Sequence, residues 1–193
     1  MFLFAVLLGM PMPMLPAQLL WLNLVTNGLQ DVAMAFEPGD KRIMRQKPRP
    51  RNEGIISPLL WERTVIVGLL MAVVTLWLFH YEYTTTGSLS RAQTVALTTM
   101  VLFQNFHVGN ARSEYRSAFL LSPLRNPFLL IAAITATAVH ALALYLPLTQ
   151  FILRVEPIEL EAWVRSALAA LSVVVVVEAH KWLRHPQLAR EGI

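Results

Sequence analysis

Oxygen-bearing side chains recur at helical spacing inside one apolar stretch near the N-terminus, and this pattern could hold a cation. Asn23, Asn27 and Asp31 are four residues apart, which places them on one face of an α-helix. Thr26 and Gln30 fall on the adjoining stripe. Amide, hydroxyl and carboxylate oxygens are the ligands that hard cations such as Ca²⁺ and Mg²⁺ prefer. The spacing therefore predicts a cation-binding helix face, with all five groups turned roughly one way.

The same side chains have a second interpretation, because amide and hydroxyl groups also join membrane helices by hydrogen bonds without binding a ligand. A lone Asn fits that interpretation better, whereas five polar groups that include a carboxylate favour an ion path. Gly28 would let the backbone deform or a neighbour approach closely, as in the discontinuous helices that build ion sites in transporters. Asp31 lies near the end of the stretch, where hydration or pairing with a Lys or Arg would also explain it.

A second apolar stretch ends in polar residues, and its Gln104 could face the same site as Asn23 and Asn27. The residues that follow it approach the membrane interface, where we interpret them as helix caps and loop contacts: Asn105, His107 and Asn110. In mid-span, His140 is better explained by an interhelical hydrogen bond than by a proton relay. Near the last span's end, Glu178 and Lys181 have the i, i+3 spacing of a structural ion pair.

The elements that must position these residues are membrane helices. Hydrophobic residues make up 55% of the 193, the mean hydropathy is +0.51, and the apolar residues come in blocks. A bilayer core requires about 20 mostly apolar residues per helix. We therefore predict an all-α, polytopic transmembrane bundle with about five full spans, at 15–36, 58–80, 92–109, 126–146 and 163–180, and a partial helix at 1–8.

Turn and capping residues mark the boundaries of these spans. Ser57-Pro58 and Asn126-Pro127 each have a capping side chain followed by a proline in the first helical position. Residues 84–88 predict a short polar loop, with Ser90 as the cap of the next helix. Pro147 closes the span that begins at Pro127.

Basic residues concentrate in alternate loops, which predicts the orientation of the chain. The segments 37–63 and 110–125 and the C-terminal tail hold 13 of the 16 Lys and Arg residues. The remaining three, Arg91, Arg154 and Arg165, fall on the other side. We expect an integral protein of the plasma membrane, with loops 37–57 and 110–125 and the C-terminus in the cytoplasm.

The basic run 41–51 is interpreted as a stop-transfer segment that contacts lipid headgroups. We expect the lipid bilayer as its partner and no nucleic acid, because no folded soluble domain accompanies the run. Cysteine is absent from the sequence, which excludes disulfides, thiolate metal sites and cysteine nucleophiles.

The polar stretch and its surroundings resemble a known family. The run from Leu15-Pro16 to Gly28-Leu29 is similar to the sixth transmembrane helix of type-II P-type ATPases, in the calcium-pump branch. The rest of the chain resembles, in order, the cytoplasmic loop after that helix and the ends of the eighth, ninth and tenth helices: Glu37-Pro38 to Lys47-Pro48-Arg49, Phe103-Gln104-Asn105 with Asn110 to Ser113, Asn126-Pro127, and Glu178 to Lys181. The resemblance runs from the outer end of helix five, at 1–8, through helix ten.

The resemblance implies a transported cation and a set of ligands. The family's calcium pumps use an Asn, a Thr and an Asp of helix six, and the matching positions here are Asn23, Thr26 and Asn27. The amide of Asn27 replaces the expected carboxylate, and the ligands of helix five lie upstream of this chain. Helix eight contributes Gln104. The resemblance therefore leaves the identity of the cation open, with Ca²⁺ as one candidate. We hypothesise that Asp31, one turn after Asn27, restores the missing charge.

The sequence lacks the residues by which this family transfers phosphate. No Asp-Lys-Thr-Gly-Thr loop and no Gly-Asp-Gly-x-Asn-Asp motif occurs, and Asp40-Lys41 is not followed by Thr-Gly. We therefore expect no ATP hydrolysis by this chain alone; ATP and Mg²⁺ would act through domains outside it. The chain is expected to be a fragment, a truncated gene product or a separately encoded module, completed by the N-terminal portion of the pump. The alternative is a non-catalytic membrane protein that reuses the scaffold as a partner or regulator of an intact pump.

Overall fold

The computed structural model describes residues 1–39, 54, 56–113 and 117–191, with side chains as far as Arg184. The described part is helical and contains no strand, which confirms the predicted all-α class. Its helices, in chain order, are α1 (Phe2–Leu7), α2 (Pro16–Val25), α3 (Asn27–Met34), α4 (Pro58–Thr86), α5 (Leu89–Ala111), α6 (Pro127–Tyr145), α7 (Pro147–Leu153) and α8 (Leu160–Glu191). The basic run 41–51 lies outside the described residues.

Three helices of the described part are long and apolar enough to cross a membrane: Pro58–Thr86, Pro127–Tyr145 and Leu160–Arg184. The other two predicted spans differ from these for local reasons. The stretch 15–36 is divided into α2 and α3, each too short to cross alone, and α5 is 23 residues long but rich in Thr, Gln and Asn. A helical membrane bundle therefore fits, and the number of five full spans stays a prediction.

Helix boundaries follow the predicted caps at two of three places. Ser57 Oγ accepts the main-chain N–H of Leu60 at 3.2 Å, and Asn126 Oδ1 accepts that of Leu129 at 3.0 Å, so both predicted caps are confirmed. The predicted cap at Ser90 is wrong. Ser88 caps α5 instead, and its Oγ accepts the N–H of Arg91 at 3.2 Å.

The predicted loop 84–88 is also too long. Helix α4 continues to Thr86, and Gly87 ends it in the left-handed conformation with φ 69°. The hydroxyls of Thr84, Thr85 and Thr86 donate to carbonyl oxygens one turn back at 2.7–2.8 Å, which satisfies these polar side chains inside the helix. The loop is thereby shortened, and the first available cap moves two residues earlier than Ser90.

Helix α5 lies at the centre of the described bundle and carries Gln104. Every residue from Ala92 to Thr99 is buried, because α2, α4, α6 and α8 all pack against this helix. Two of its buried Thr residues satisfy their hydroxyls within the helix: Thr94 donates to the carbonyl of Ser90 at 2.9 Å and Thr99 to that of Val95 at 2.7 Å. Small and self-satisfied side chains thus let four neighbours approach one helix.

A short helix that was not predicted, α7, follows α6 and supports the start of α2. Helix α6 ends at Tyr145, as the position of Pro147 predicts, but Pro147 then begins α7. The side chain of Gln18 donates through Nε2 to the carbonyl of Leu153 at 3.1 Å and accepts the N–H of Leu15 at 3.0 Å through Oε1. This fully buried amide therefore fixes where α2 begins.

The helix ends with basic loops lie together at one end of the bundle. Arg112 forms two hydrogen bonds with Glu37, at 3.0 and 3.1 Å, and Arg125 approaches the same carboxylate at 3.7 Å. The predicted ion pair between Glu178 and Lys181 is confirmed, with an N–O distance of 3.5 Å. These contacts join the ends of α3, α5, α6 and α8.

The opposite end contains a second ionic cluster, built around Glu82 of α4. Its carboxylate is 2% exposed and accepts from Arg91 of α5 at 2.6 Å and from Arg165 of α8 at 2.7 Å. Ser88 and Glu156 meet at 3.3 Å beside it. The predicted division of the loops between two ends therefore holds in the part of the chain that the structure describes.

Candidate cation site

The helix that carries the predicted ligands is interrupted at Thr26. Helix α2 ends at Val25 and α3 begins at Asn27, while Thr26 has φ −95° and ψ −68°. The Thr26 hydroxyl lies 2.7 Å from the carbonyl oxygen of Leu22, which also accepts the main-chain N–H of Thr26 at 3.0 Å, and such a second bond to one carbonyl often bends a helix. The expectation that Gly28 provides the deformation is wrong: it lies within α3, where an added Cβ would meet only Asn23 O, at 3.9 Å.

Three acceptor oxygens of the described chain lie around the single hydroxyl proton of Thr26. Its fully buried hydroxyl lies 2.7 Å from the carbonyl oxygen of Leu22 and 3.4 Å from Oδ1 of Asn27, and it contacts Oε1 of Gln104. A hydroxyl has one proton, so it can donate to one of these three acceptors at a time. The remaining oxygens suit a hard cation, which takes several oxygen ligands.

The structure divides the five predicted polar groups between two surfaces. Thr26 and Gln30 are buried, with Thr26 against Gln104 of α5, whereas the other three side chains are exposed: Asn23, Asn27 and Asp31. The amide of Asn27 donates to Oδ1 of Asn23 at 3.1 Å, so this pair already has a shared geometry. The buried stripe and the exposed stripe meet at Thr26 and Asn27. On the side of the exposed stripe, no other part of the described chain covers the cluster around Thr26.

The carboxylate of Asp31 has no hydrogen-bond or ion-pair partner among the described residues. Pairing with a Lys or Arg is therefore not seen there. The described residues also contain no group of three or more His, Cys, Asp and Glu side chains that could hold a metal ion. Any cation at Thr26 would be bound mainly by neutral oxygens, with Asp31 one turn away as the nearest acid along this helix.

Two interhelical hydrogen-bond chains flank the interruption. Before it, Trp21 Nε1 donates to His140 Nδ1 at 3.2 Å, and His140 Nε2 lies 3.0 Å from the hydroxyl of Thr98. This confirms the predicted interhelical hydrogen bond of His140. After it, Gln30 Nε2 donates to Asn105 Oδ1, and Asn105 Nδ2 donates to Thr137 Oγ1 at 2.7 Å.

The interpretation of Asn105 as a cap or loop contact is therefore wrong. Its half-buried amide, on α5, lies beside the direct contact of α3 with α6 and links the side chains of both helices. Sequence reasoning also missed Thr137. The signal available for it was a hydroxyl within the mostly apolar run of α6, but Thr135 carries the same signal, so the sequence does not single out Thr137.

Comparison with known proteins places the chain in a family. Residues 11–183 match the family model described as "Cation transporting ATPase, C-terminus". A "Calcium-transporting ATPase" of Bacillus subtilis is 37% identical over 146 residues, and a "Probable cation-transporting ATPase F" of Mycobacterium tuberculosis is 32% identical over 174 residues. A "Calcium-transporting ATPase" of Plasmodium falciparum is 29% identical over 229 aligned residues.

These matches cover most of the chain and little of each relative. They include 75%, 90% and 96% of this chain, respectively, but only 16%, 19% and 19% of the relatives. The chain thus spans less than a fifth of the length of these three relatives. With a helical membrane bundle in the matching region, the chain belongs to the cation-transporting P-type ATPases and corresponds to the C-terminal membrane region of such a pump.

Proposed function

We propose that this chain supplies part of the binding site and path of the transported cation, with Asn23, Thr26, Asn27 and Gln104 as ligands. The observation that carries the proposal is the surplus of oxygens around the buried hydroxyl of Thr26, at the point where the helix is interrupted. Interrupted helices bind ions in membrane transporters for the same reason, since side-chain oxygens converge there with main-chain groups.

The open side of the cluster supports a shared site. Asn23 and Asn27 are exposed in this chain, and exposed amides at bilayer depth would be costly without a polar partner. We propose that the N-terminal portion of the pump covers this side and completes the ligand set. That portion would also contain the groups that use ATP and Mg²⁺.

For the identity of the cation, the donors and the relatives support Ca²⁺ as the first ion to test. Oxygen-only donor sets suit hard cations, and two of the relatives named above are calcium-transporting ATPases. The amide at Asn27 leaves this helix face with fewer negative charges than a carboxylate there would. We propose that Asp31, which is exposed and one turn away, supplies part of that charge.

A chimaera tests the proposal. The matching C-terminal region of the B. subtilis relative is replaced by this chain, and ATP-driven uptake of radioactive Ca²⁺, with Mn²⁺ and Mg²⁺ as competitors, is measured in inverted vesicles. We expect uptake that is lost in the double variant Thr26→Val, Gln104→Leu. The matched control is Thr135→Val, which removes an exposed hydroxyl of α6.

Uptake that survives the double variant at full affinity would contradict the proposal. The alternative function, that of a regulator that does not transport a cation, predicts a different result in this experiment. In that case the chimaera would not transport, and co-expression of the chain with the intact relative would change the relative's uptake whether or not Thr26 and Gln104 were replaced.

We further propose that the end of the bundle with Glu37 and Arg112 faces the cytoplasm and that the protein lies in the plasma membrane. The excess of basic residues at that end supports this orientation. Because the chain has no cysteine, single cysteine substitutions report its orientation without background labelling of other positions in the chain. In intact cells, a membrane-impermeant maleimide should label Thr85→Cys and spare Ser122→Cys, both of which are exposed positions. The reverse labelling would refute the orientation, and fractionation of the labelled cells tests the membrane.

A further inference from the structure

We infer that Thr137 and His140 of α6 are positioning residues, which hold α2 and α3 at a defined angle on either side of Thr26 without contacting the cation. The inference rests on the proposed function, because what these residues position is the proposed site. Neither residue is among the proposed ligands, and α6 contributes no oxygen to the cluster around Thr26 in the described structure.

The anchor on α2 is the hydrogen bond between Trp21 and His140. An indole N–H can only donate, so His140 Nδ1 must accept from it, at 3.2 Å. In the neutral ring the proton then lies on Nε2, where it can be donated to the hydroxyl of Thr98 at 3.0 Å. His140 is fully buried, and Trp163 packs edge-on against its ring at 5.9 Å. One tautomer thus satisfies both nitrogens and leaves the ring little freedom to move.

The anchor on α3 is indirect and runs through α5. Gln30 donates to Asn105, and Asn105 donates to the hydroxyl of Thr137 at 2.7 Å. The same hydroxyl donates to the carbonyl of Ala133 at 3.0 Å, so its proton and an acceptor position are both in use. Near the end of α3, Asn126 Nδ2 donates to the carbonyl of Ala33 at 3.0 Å, which gives α6 a second hold on α3.

The two anchors lie on one face of one continuous helix. Thr137 and His140 are three residues apart in α6, whereas the residues that they secure lie on opposite sides of Thr26: Trp21 five residues before it and Gln30 four residues after it. An interrupted helix can bend at the break unless neighbouring structure holds both halves. Because α6 is unbroken across this region, it can restrain the angle between α2 and α3.

Interhelical hydrogen bonds that only add stability would look similar in a static structure. The two roles differ in what a substitution changes. Loss of a purely stabilising bond lowers the unfolding midpoint and leaves the angle and the cation affinity of the folded protein as they were. Loss of a hydrogen bond by which α6 restrains α2 or α3 widens the range of angles between them and weakens cation binding in protein that is still folded.

The experiment measures that angle directly on the full chain in lipid nanodiscs. Spin labels at Leu20→Cys in α2 and Val32→Cys in α3 use exposed positions in a cysteine-free background, and pulsed electron spin resonance gives their distance distribution. Ca²⁺ affinity is measured separately, as ATP-driven uptake of radioactive Ca²⁺ by the chimaera with the same variants, because the ligand set is proposed to be complete only there. The variants are His140→Leu, His140→Asn and Thr137→Val, with Thr135→Val as the matched control.

We expect His140→Leu to broaden the distance distribution and to weaken Ca²⁺ binding about tenfold, equivalent to about 1.4 kcal/mol. His140→Asn, which can still accept from Trp21, should restore most of both, and Thr137→Val should have a smaller effect in the same direction. If His140→Leu does not fold, Thr137→Val and His140→Asn carry the test. Thr135→Val should match the parent chain.

An unchanged distance distribution in folded His140→Leu and Thr137→Val would overturn the inference, as would a broadened one with unchanged Ca²⁺ affinity. A failure of the proposed function looks different. In that case Thr26→Val and Gln104→Leu would leave Ca²⁺ binding unaltered, and the label distances would still decide whether α6 holds the two halves of the helix.

Discussion

The two polar clusters of this bundle satisfy their groups in opposite ways. At one end, the carboxylate of Glu82 is shared by Arg91 and Arg165, and each of its oxygens accepts one charged hydrogen bond. In the middle, the hydroxyl of Thr26 is surrounded by more acceptors than it has protons, and Gln104 supplies another oxygen rather than a donor. In the first cluster both carboxylate oxygens have a charged donor, although Nε of Arg165 has no hydrogen-bond partner among the described residues, whereas in the second the acceptors exceed the one hydroxyl proton.

The difference separates stability from function. The buried carboxylate of Glu82 joins α4, α5 and α8, and its charge is already compensated by two arginines. A cluster with surplus acceptors contributes less to folding, and it retains the capacity to bind a cation. We therefore expect substitutions at Glu82 to act on the free energy of unfolding, and substitutions around Thr26 to act on cation affinity.

The largest effect is expected for Glu82→Gln. Removal of the charge leaves Arg91 and Arg165 without their buried partner and, in the part of the chain that the structure describes, with only the exposed carboxylates of Glu159 and Glu161 beside them. Breaking a buried pair costs about 3 kcal/mol or more in the free energy of unfolding. The measurement is denaturant unfolding of the chain in nanodiscs. The control is Glu161→Gln, whose side chain is 83% exposed beside the same Arg165 and should change the free energy by less than about 1 kcal/mol. Equal effects of the two substitutions would remove the distinction between the clusters.

A smaller but more specific effect is expected for Gln104→Leu. Loss of one oxygen ligand should weaken Ca²⁺ binding about tenfold, or about 1.4 kcal/mol. The free energy of unfolding should change by about 1 kcal/mol at most, because one neutral hydrogen bond is removed. Ca²⁺ affinity is measured as uptake by the chimaera, and unfolding on the chain in nanodiscs, with the same substitution in both. A large loss of stability without loss of affinity would make Gln104 a structural residue.

The smallest effect is expected for Asp31→Asn. Asp31 is exposed and acts at a distance of one turn, so its contribution to affinity should be about threefold and should fall as salt is raised. Stability should not change, since its carboxylate has no partner in the described part of the chain. Glu159→Gln, a similarly exposed acid at the other end of the bundle, is the control. Unchanged affinity at low salt would exclude Asp31 from the site.

Prediction from the sequence succeeded where the cause is local. Ser57 and Asn126 cap helices because a suitable side chain stands next to a proline. Sequence-based prediction failed where two local conformations of the same residues differ little in energy. Thr84 to Thr86 could equally have formed a loop, and their hydrogen bonds to the preceding turn kept them helical and moved the cap from Ser90 to Ser88.

The contacts that build the site were harder to predict because they join distant segments. Thr26 and Gln104 are 78 residues apart, and Gln30 and Asn105 are 75 apart. Helical periodicity states which residues share a face, but the rotation and the axial position of one helix against the next come from packing. The assignment of Asn105 to the loop was wrong for this reason: the sequence does not show that Gln30 of α3 and Thr137 of α6 both come within reach of its side chain.

Two properties were determined by the sequence alone. The apolar blocks require membrane helices, because unpaired main-chain groups are too costly in a bilayer, and the four-residue spacing of Asn23, Asn27 and Asp31 places them on one stripe. Only the tertiary structure decided that Thr26, and not Gly28, interrupts the helix, that the polar stripes divide into a buried and an exposed side, and that His140 meets Trp21. Each depends on close packing around α5, whose small and self-satisfied side chains admit four helices. The packing of these helices around α5 determines which side-chain oxygens lie together around Thr26.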